Sequence, residues 1–342
     1  MQISVLGATG YTGIELVRLI KEHPKVELDI ITSENFSGEP IFEVYPHLRD
    51  IVKQRCESCD LDRIAEKSDL VFTALPHKVS ADIVPELLAR DLKVIDLSGD
   101  FRYQNAELYQ EWYQTHSSPE LMREAVYGLA EIKREEIKNS RLIANPGCYP
   151  TSSLLAIQPL ISENIINTED IIIDAKSGIT GAGRKASRKT HFCEVQENFQ
   201  AYNVGSHRHR SEIAEKLKLW NDKNVELTFT PHLLPVNRGI LSTIYADTAG
   251  DFDKNDILKI YRQYYQEKPL IRVVKTGTPE LKHVRNTNFC DLSVNVNDNG
   301  KLVIISALDN LLKGAAGQAV QNMNLLCDWP EKLGLYKIGP YN

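Results

Sequence analysis

A glycine-rich turn between a strand and a helix places the strongest constraint on how this 342-residue chain folds. Residues 3–6 (ISVL) read as a buried strand, and apolar side chains recur at helical spacing over residues 12–22. The segment 7–13 (GATGYTG) joins the two. Glycines at this position let the backbone approach a pyrophosphate, and the N-terminus of the helix offers free N–H groups. The sequence therefore predicts a dinucleotide-binding loop here.

Strand and helix patterns alternate through residues 1–147, as in a parallel, doubly wound sheet. Further strand-like runs lie at 26–32, 69–74, 93–97 and 141–144. The polar, irregular stretch 46–58 predicts a loop or an excursion at the edge of the sheet.

The second half of the chain has a different pattern. Beyond residue 165, strand-like runs follow one another with few helices between them, at 171–175, 225–229, 240–246, 270–275, 291–296 and 302–307. We therefore predict an α/β protein: a Rossmann-type dinucleotide-binding domain (1–147), then an α+β domain (148–310) with a mainly antiparallel sheet. The final segment 311–342, with a helix near 311–326, is expected to complete the first domain.

Composition limits the classes of partner. Lys and Arg number 40 against 46 Asp and Glu, so a net charge of −6 gives no general reason to bind nucleic acid or an anionic membrane. No apolar run approaches the ~18 residues that span a bilayer, and no leader-like segment opens the sequence. Six cysteines are too few for a disulfide scaffold, and Cys56 and Cys59 form a lone pair. We expect a cytoplasmic protein that has no metal site.

The end of the second strand bears on which nicotinamide dinucleotide binds. An NAD-binding enzyme usually carries an acidic residue here for the ribose hydroxyls. The run in this chain is Thr32-Ser33-Glu34, and the hydroxyl of Ser33 suits a 2′-phosphate. We therefore predict NADP(H), and a Glu34 side chain directed at the ribose would reverse that prediction.

A second turn, residues 145–151 (NPGCYPT), joins a strand to an apolar helix expected to begin near Thr151. Cys148 therefore lies at a helix N-terminus, where the helix dipole and free N–H groups lower the pKa of a thiol. The glycine and the two prolines fix the turn and hold the sulfur out of the core. Cys148 is the candidate nucleophile, and a nucleophilic thiol usually needs a partner for proton transfer.

The partner is expected in the motif SHRHRSE, where two histidines and two arginines lead into a helix. His207 and His209 lie in one tight turn, so the sequence does not decide which of them faces the sulfur. Glu212 follows His209 by three residues, within reach to orient its imidazole. The cations of this turn, together with Arg102 and Arg184 in two other polar loops, suit single phosphate groups.

A nicotinamide cofactor, a thiolate and phosphate-sized cationic sites together suit the reduction of an acyl phosphate. The thiolate displaces phosphate and forms a thioester, which accepts hydride more readily than a carboxylate does. The hemithioacetal then collapses to an aldehyde, and a histidine moves the protons. The reverse reaction is the phosphate-dependent oxidation of an aldehyde.

Over nearly the whole chain, the motifs resemble those of the N-acetyl-gamma-glutamyl-phosphate reductases of arginine biosynthesis, in the aspartate-semialdehyde dehydrogenase-like superfamily. The shared stretches are GATGYTG, LPH, DLSGDFR, NPGCYPT, SGITGAG, HRHRSE, PHLLP with RG, and DNLLKGAAG. The resemblance implies Cys148 as the nucleophile and His209 as the acid/base. It also implies an NADP-binding first domain, a second domain that binds a small acyl phosphate and joins subunits, and a homodimer or homotetramer.

The motifs and the resemblance together assign side chains to each role. Those expected to bind the cofactor are Gly7, Thr9, Gly10, Tyr11, Thr12, Gly13, Ser33, Pro76, Ser98, Gly178 and Asn310. Those expected to bind the substrate are Arg102, Asn145, Ser177, Gly181, His207 and Arg208. Those expected to act in catalysis are Cys148, His209 and Glu212.

Three alternatives stay open at this point. Aspartate-semialdehyde dehydrogenase shares the architecture and a Cys/His pair. A reductase of a carrier-bound aminoadipyl or glutamyl phosphate would share the motifs as well. A non-enzymatic, NADP-binding redox sensor could use Cys148 as its switch, although it would need no anion pocket beside the thiol. The stretches PGCYPT and HRHR favour the N-acetylglutamyl-phosphate enzyme.

Overall fold

The computed structural model describes residues 1–335 and residue 339. Its strands are β1 Gln2–Leu6, β2 Glu27–Thr32, β3 Cys56–Glu57, β4 Leu70–Thr73, β5 Lys93–Asp96, β6 Val126–Tyr127, β7 Leu142–Ala144, β8 Ile171–Gly178, β9 Gln200–Ala201, β10 Leu227–Leu234, β11 Ile240–Asp247, β12 Ile271–Val273, β13 Cys290–Val296 and β14 Lys301–Leu308. Its α-helices are α1 Tyr11–Glu22, α2 Ile41–Val44, α3 Leu61–Lys67, α4 Val79–Ala89, α5 Ala106–Trp112, α6 Pro119–Glu124, α7 Arg134–Lys138, α8 Cys148–Ser162, α9 Phe192–Val195, α10 His209–Asn221, α11 Lys254–Tyr264, α12 Leu281–Val284 and α13 Gly317–Leu326.

The described chain forms two compact units. One comprises Met1–Pro146 with residues 315–335, and the other comprises Gly147–Gly314. Residues 336–338 and 340–342 of the predicted C-terminal segment lie outside the described residues. That residues 1–147 bind the dinucleotide and residues 148–310 bind the substrate stays a prediction.

The first unit is built on a parallel sheet of strand order β3-β2-β1-β4-β5-β7-β6. All the pairings that join these strands are parallel. β4 is buried along its whole length, as strands of a doubly wound sheet are when helices cover both faces. On α1, Ile14, Leu16 and Val17 belong to the stripe of buried side chains that the helical spacing predicts. The predicted Rossmann-type fold is confirmed.

The second unit contains a mixed sheet of strand order β12-β13-β14-β11-β8-β10-β9. The pairings of β11 with β8, of β11 with β14 and of β13 with β14 are antiparallel. The pairings of β8 with β10 and of β12 with β13 are parallel. Buried residues alternate with half-buried or exposed ones along β10 and β11, which places one face of the sheet in the core. The prediction of an α+β fold with a mainly antiparallel sheet is confirmed.

One end of this second sheet gathers several chain segments. Ile240, the first residue of β11, lies opposite Ser177 on β8 and Leu308 on β14. Cys290, the first residue of β13, lies opposite Leu308 as well. The loops that follow β8 and β14 and those that precede β11 and β13 therefore meet at the same end of the sheet.

The structure differs from the predicted element boundaries in two helices. α8 begins at Cys148 and not near Thr151, because Gly147 has the extended backbone of an N-cap and a proline in the first turn is compatible with a helix. In the C-terminal segment, a π-helical turn (Leu312–Ala316) precedes α13, so the regular helix begins at Gly317. The stretch 46–58 includes β3, which pairs with β2 at the edge of the sheet.

α13 is a buried helix whose amide side chains bond to the residues that directly follow β6 and β7 of the first unit's sheet. Asn322 donates to the carbonyl of Gly128 at 2.8 Å and to Oδ1 of Asn145 at 3.1 Å. Gln318 donates to the same Gly128 carbonyl at 2.9 Å. Because these groups are buried, their hydrogen bonds fix the helix in one orientation. Within the described part of the chain, no helix combines the length and the apolar character needed to cross a membrane.

Replacing Asn322 by Ala is expected to lower the free energy of unfolding by roughly 1–3 kcal/mol, because buried partners lose their donor. The measurement is the midpoint of thermal unfolding followed by circular dichroism. Asn139→Ala is the control: its exposed amide donates to the carbonyl of Glu135 at 2.9 Å. We expect that control to change stability by less than about 0.5 kcal/mol. Equal midpoints for the two variants would contradict an anchoring role for Asn322.

Candidate active site

The predicted dinucleotide loop forms a tight connection between β1 and α1. Gly7 has a φ of +83°, which residues with side chains rarely adopt. A Cβ on Gly13 would lie 2.2 Å from the carbonyl oxygen of Gly7, and one on Gly7 would lie 2.4 Å from that of Ala74. Gly10 is the N-cap of α1. The first N–H groups of α1 have no carbonyl partners within the helix, so the loop suits an anionic ligand.

The end of β2 packs against this loop. The hydroxyls of Thr9 and Ser33 lie 2.7 Å apart, and Ser33 is buried while Glu34 is exposed. Tyr45, which the sequence did not single out, donates its hydroxyl to the carbonyl of Thr9 at 2.9 Å. The structure therefore brings Thr9 and Ser33 together. Tyr11 and Thr12 are also at the loop, as the first two residues of α1, and both are half-buried.

Ser98 lies in a polar cluster at the end of β5. It is buried, and its hydroxyl donates to Asp96 at 2.6 Å and accepts the N–H of Asp100 at 3.0 Å. Burial, followed by the negative charge of Asp100, raises the pKa of Asp96. Pro76, by contrast, is exposed in the loop after β4. The Ser98 hydroxyl thus holds the loop that follows β5.

Arg102 and Asn145 connect the ends of two neighbouring strands in the first unit. The guanidinium of Arg102 is buried and donates to the carbonyl of Asn145 at 2.8 Å and to that of Leu97 at 2.8 Å. Asn145 is also fully buried. These contacts fix the backbone just before the cysteine turn, a structural task that the sequence did not predict for either residue.

Cys148 opens α8 in the second unit and is partly exposed. The N–H of Gly147 donates to Oε1 of Glu212 at 3.0 Å, and Glu212 is fully buried. A Cβ on Gly314 would lie 2.9 Å from the Cβ of Cys148, so the chain passes close beside the thiol. The geometry brings Cys148 and Glu212 together, and N–H groups at a helix start stabilise a thiolate.

The two histidines surround the ring of Tyr149. The centroid of Tyr149 lies 5.6 Å from that of His207 and 5.9 Å from that of His209, in both cases edge to face. Nδ1 of His207 accepts the N–H of His209 at 3.2 Å. Burial, helped by the charge of Arg208, lowers the pKa of His207 to about 4, so this imidazole is neutral near pH 7. The neutral His207 thus accepts the N–H of the first residue of α10.

Tyr202, which no sequence motif indicated, completes this aromatic cluster. Its hydroxyl donates to that of Tyr149 at 3.1 Å, and its ring centroid lies 5.5 Å from that of His207. Burial raises the pKa of Tyr202 to about 12, so it stays protonated at neutral pH. The signal for Tyr149 was available, because it directly follows Cys148 in the turn.

A second group of predicted residues lies at the end of the second sheet where the loops after β8 and β14 meet those before β11 and β13. Oδ1 of Asn310 accepts the N–H of Gly239 at 2.8 Å, and the N–H of Gly178 donates to the carbonyl of Gly239 at 2.9 Å. A Cβ on Gly181 would lie 2.9 Å from the hydroxyl oxygen of Ser177. Ser177, Gly178, Gly181 and Asn310 are therefore brought into one set of loops.

The remaining predicted residues are more dispersed. Arg208 is the N-cap of α10, and Arg184 lies in an exposed loop. Burial, then the charge of Glu39, raises the pKa of Cys56 to about 11, which disfavours a thiolate there. Among residues 1–335 and 339, no three His, Cys, Asp or Glu side chains are grouped to hold a metal ion.

Two family models match the chain. They are described as "Semialdehyde dehydrogenase, NAD binding domain", over residues 2–140, and "Semialdehyde dehydrogenase, dimerisation domain", over residues 148–310. An NAD(P)-binding domain and a dimerisation domain are thus present.

Named relatives match over nearly the full length. The chain is 48% identical over 345 residues to the N-acetyl-gamma-glutamyl-phosphate reductase of Desulforudis audaxviator, covering 100% of this chain and 99% of that one. It is 44% identical over 342 residues to the enzyme of the same name from Acetivibrio thermocellus, covering 99% of each.

Solved structures share the fold. Aspartate semialdehyde dehydrogenase II from Vibrio cholerae superposes with a TM-score of 0.72 at 18% identity, covering 96% of this chain and 98% of that one. Aspartate semialdehyde dehydrogenase from Candida albicans gives a TM-score of 0.71 at 15% identity, covering 95% and 98%.

Replacing Gly13 by Ala is expected to weaken dinucleotide binding at least tenfold, because the new methyl group displaces the Gly7 carbonyl at a strain of about 1–3 kcal/mol. Titration of the reduced dinucleotide by fluorescence measures the affinity, and thermal unfolding measures stability. Gly10→Ala is the steric control, since its nearest contact would be 3.7 Å. We expect only Gly13→Ala to lower the unfolding midpoint. A Gly13→Ala protein with native affinity and midpoint would exclude the close packing as the reason for this glycine.

Proposed function

Because this chain belongs to the N-acetyl-gamma-glutamyl-phosphate reductase family, we propose that it reduces N-acetyl-L-glutamyl 5-phosphate to N-acetyl-L-glutamate 5-semialdehyde in arginine biosynthesis. The observation that carries the proposal is the thiol of Cys148 at the start of α8, with Glu212 bonded to its turn and both histidines packed on the next residue. A cytoplasmic location is part of the proposal.

In the first step, His209 takes the proton of the Cys148 thiol, and the thiolate attacks the acyl carbon. A C–S bond forms, the C–O bond to phosphate breaks, and the proton on His209 goes to the departing phosphate. Hydride addition to the thioester carbon gives a hemithioacetal oxyanion. That oxyanion collapses with cleavage of the C–S bond and releases the aldehyde, and His209 takes a proton from solvent and returns it to the thiolate.

We assign the proton transfers to His209 rather than to His207. His207 is neutral near pH 7 and its Nδ1 already accepts the N–H of His209. Its pKa of about 4 leaves it a weak base for a thiol. Glu212 supports the site through the N–H of Gly147, which keeps Cys148 in the first turn of α8.

In this proposal residues 1–147, completed by the segment 311–342, bind the cofactor, and residues 148–310 carry out catalysis. The loop around Gly7 and Gly13 fits a pyrophosphate through its close packing and the start of α1. When bound, the reduced nicotinamide supplies the hydride. We favour NADP(H), because the hydroxyls of Thr9 and Ser33 meet at the end of β2 while Glu34 is exposed.

The alternatives have less support. The matching N-acetyl-gamma-glutamyl-phosphate reductases share 44–48% identity with the chain over nearly its full length, whereas the aspartate semialdehyde dehydrogenases share 18% or less. A redox sensor would not need imidazole and carboxylate groups arranged about its thiol. A carrier-bound substrate is separated from the free one by assay.

With N-acetylglutamate semialdehyde, phosphate and NADP, we expect phosphate-dependent formation of reduced cofactor, at a higher kcat/KM than with NAD. Cys148→Ala is expected to abolish it, and His209→Asn to lower kcat by about 10²–10⁴-fold. Cys193→Ala, which removes an exposed thiol outside the cluster, is the control and retains activity. Turnover of aspartate semialdehyde or of a carrier-bound substrate alone would reject the proposed substrate.

We further propose that the chain self-associates through the outward face of the second unit's sheet. Cross-strand pairing places Asp174, Thr243 and Ile305 in one row of half-buried side chains. Tyr245 and Ile172 lie opposite each other in the next row. Half-buried aromatic and β-branched side chains on one sheet face suit an isologous contact with a second copy. The matched dimerisation domain supports that occupant.

Thr243→Arg is expected to halve the mass measured by light scattering, because a charge at the centre of a self-facing surface meets its own copy. Gln263→Arg adds the same charge at an exposed position of α11 and serves as the control, with native mass expected. Circular dichroism verifies that both variants are folded. An unchanged mass for folded Thr243→Arg would exclude this face as the contact.

A further inference from the structure

At the end of the second sheet where these loops meet, a cavity lies between the loop after β10 and the loop before β13. Pro235, Val236, Asn237, Arg238, Arg285 and Asn286 line it, and its volume is about 490 Å³. Two guanidinium groups thus border one cavity in a chain whose net charge is −6. Neither residue belongs to the groups assigned above to the thiol, the phosphate or the cofactor.

The charges around the cavity are unequal. Nη1 of Arg238 lies 3.5 Å from Oδ2 of Asp309, a fully buried carboxylate, so Arg238 already faces an anion. The buried Nε of Arg285 has no hydrogen-bond partner among the residues that the structure describes. Buried donors in native proteins are almost always satisfied, so this N–H is available to an acceptor that enters the cavity. The positive charges of the two arginines exceed the negative charge of Asp309, so one further anionic group would balance them.

The cavity lies at the same end of the sheet as the residues near the thiol. The loop that includes Arg238 bonds to Asn310 through Gly239. Ile240, which follows that loop, pairs with Leu308 on β14, and a Cβ on Gly314 would contact both Leu308 and Cys148. Backbone pairing and direct contact thus connect the cavity to the reacting cysteine within the second unit.

We propose that Arg285, with Arg238, forms the subsite that binds the α-carboxylate of the substrate and selects amino-acid-derived acyl groups over simple ones. The inference rests on the proposed function, because that substrate carries an α-carboxylate on the carbon that bears its acetamido group. Arg presents a planar pair of donors that matches the two oxygens of a carboxylate. A Lys or Gln at 285 would lose that match while filling a similar volume.

Two ligand pairs test the subsite, each differing only in the α-carboxylate. N-acetylglutamate semialdehyde and 4-acetamidobutanal are compared as substrates with NADP and phosphate. N-acetyl-L-glutamate and 4-acetamidobutyrate are compared as ligands by calorimetric titration. In the native protein we expect kcat/KM and affinity to favour the carboxylated member of each pair at least 30-fold.

In Arg285→Gln, that preference is expected to fall at least tenfold. Only the carboxylated member of each pair is expected to lose kcat/KM or affinity, and KM is expected to change more than kcat. Arg285→Lys is expected to be intermediate, because it keeps the charge and loses the paired donors. Lys282→Gln removes a cation that pairs with Glu280 at 2.9 Å on the neighbouring exposed helix, and it is expected to keep the native preference.

Preserved discrimination in folded Arg285→Gln, or equal losses for both members of a pair, would overturn the subsite. The titrations need no turnover. If the native protein shows no turnover but still binds the carboxylated ligand more tightly, the proposed reaction is rejected and the subsite is supported. If Arg285→Gln does not fold, Arg285→Lys decides: native discrimination in that variant contradicts the proposal.

Discussion

Three buried hydroxyls fix where the reactive end of the second unit lies. Ser152, one turn after Cys148 on α8, hydrogen-bonds to Ser242 on β11 at 2.9 Å and to Ser306 on β14 at 3.0 Å. Ser242 and Ser306 are themselves paired across the two strands. A shift of one residue in that pairing would move one of the two hydroxyls to the other face of the sheet and break the cluster. The position of Cys148 therefore depends on the strand register.

From that register the other contacts follow. The same antiparallel pairing places the start of β11 beside the ends of β8 and β14, and so brings the loops of Ser177, Gly239 and Asn310 together. Asp309 accepts the N–H groups of Leu311 and Leu312, which starts the turn that passes close to the thiol.

A mildly acidic protein can hold anions by placing a few cations locally. Its net charge says little about its ligands.

How far the sequence predicts this molecule depends on whether a property is local. The loop at Gly7 and the turn at Cys148 were predictable, because a strand, a few backbone-defining residues and a helix follow one another along the chain. The lowered pKa of His207 was not, because it depends on burial, and the rings of Tyr149 and Tyr202 pack against that imidazole. Tyr149 could have been noticed as the neighbour of the cysteine.

Other parts of the site were beyond prediction for the same reason. Arg285 lies 137 positions after Cys148 in the sequence, and only strand pairing brings its loop to the same end of the sheet. Ser98 and Arg102 were predicted to bind cofactor and substrate, which stays a prediction, and the sequence did not indicate that their polar atoms also hold strand ends in the first unit. A polar residue at a strand end can serve either purpose, and the motif alone does not distinguish the two.

The close approach of Gly314 to Cys148 has an evolutionary consequence. Every single-base change of a glycine codon that alters the residue adds at least a Cβ, and a Cβ here would lie 2.9 Å from that of the cysteine. Every single-base substitution at this position therefore creates that close contact. Neighbouring loops can drift and alter which acyl group is accepted, whereas the backbone that passes the sulfur stays fixed. New substrate preferences in such a scaffold would have to arise around the nucleophile.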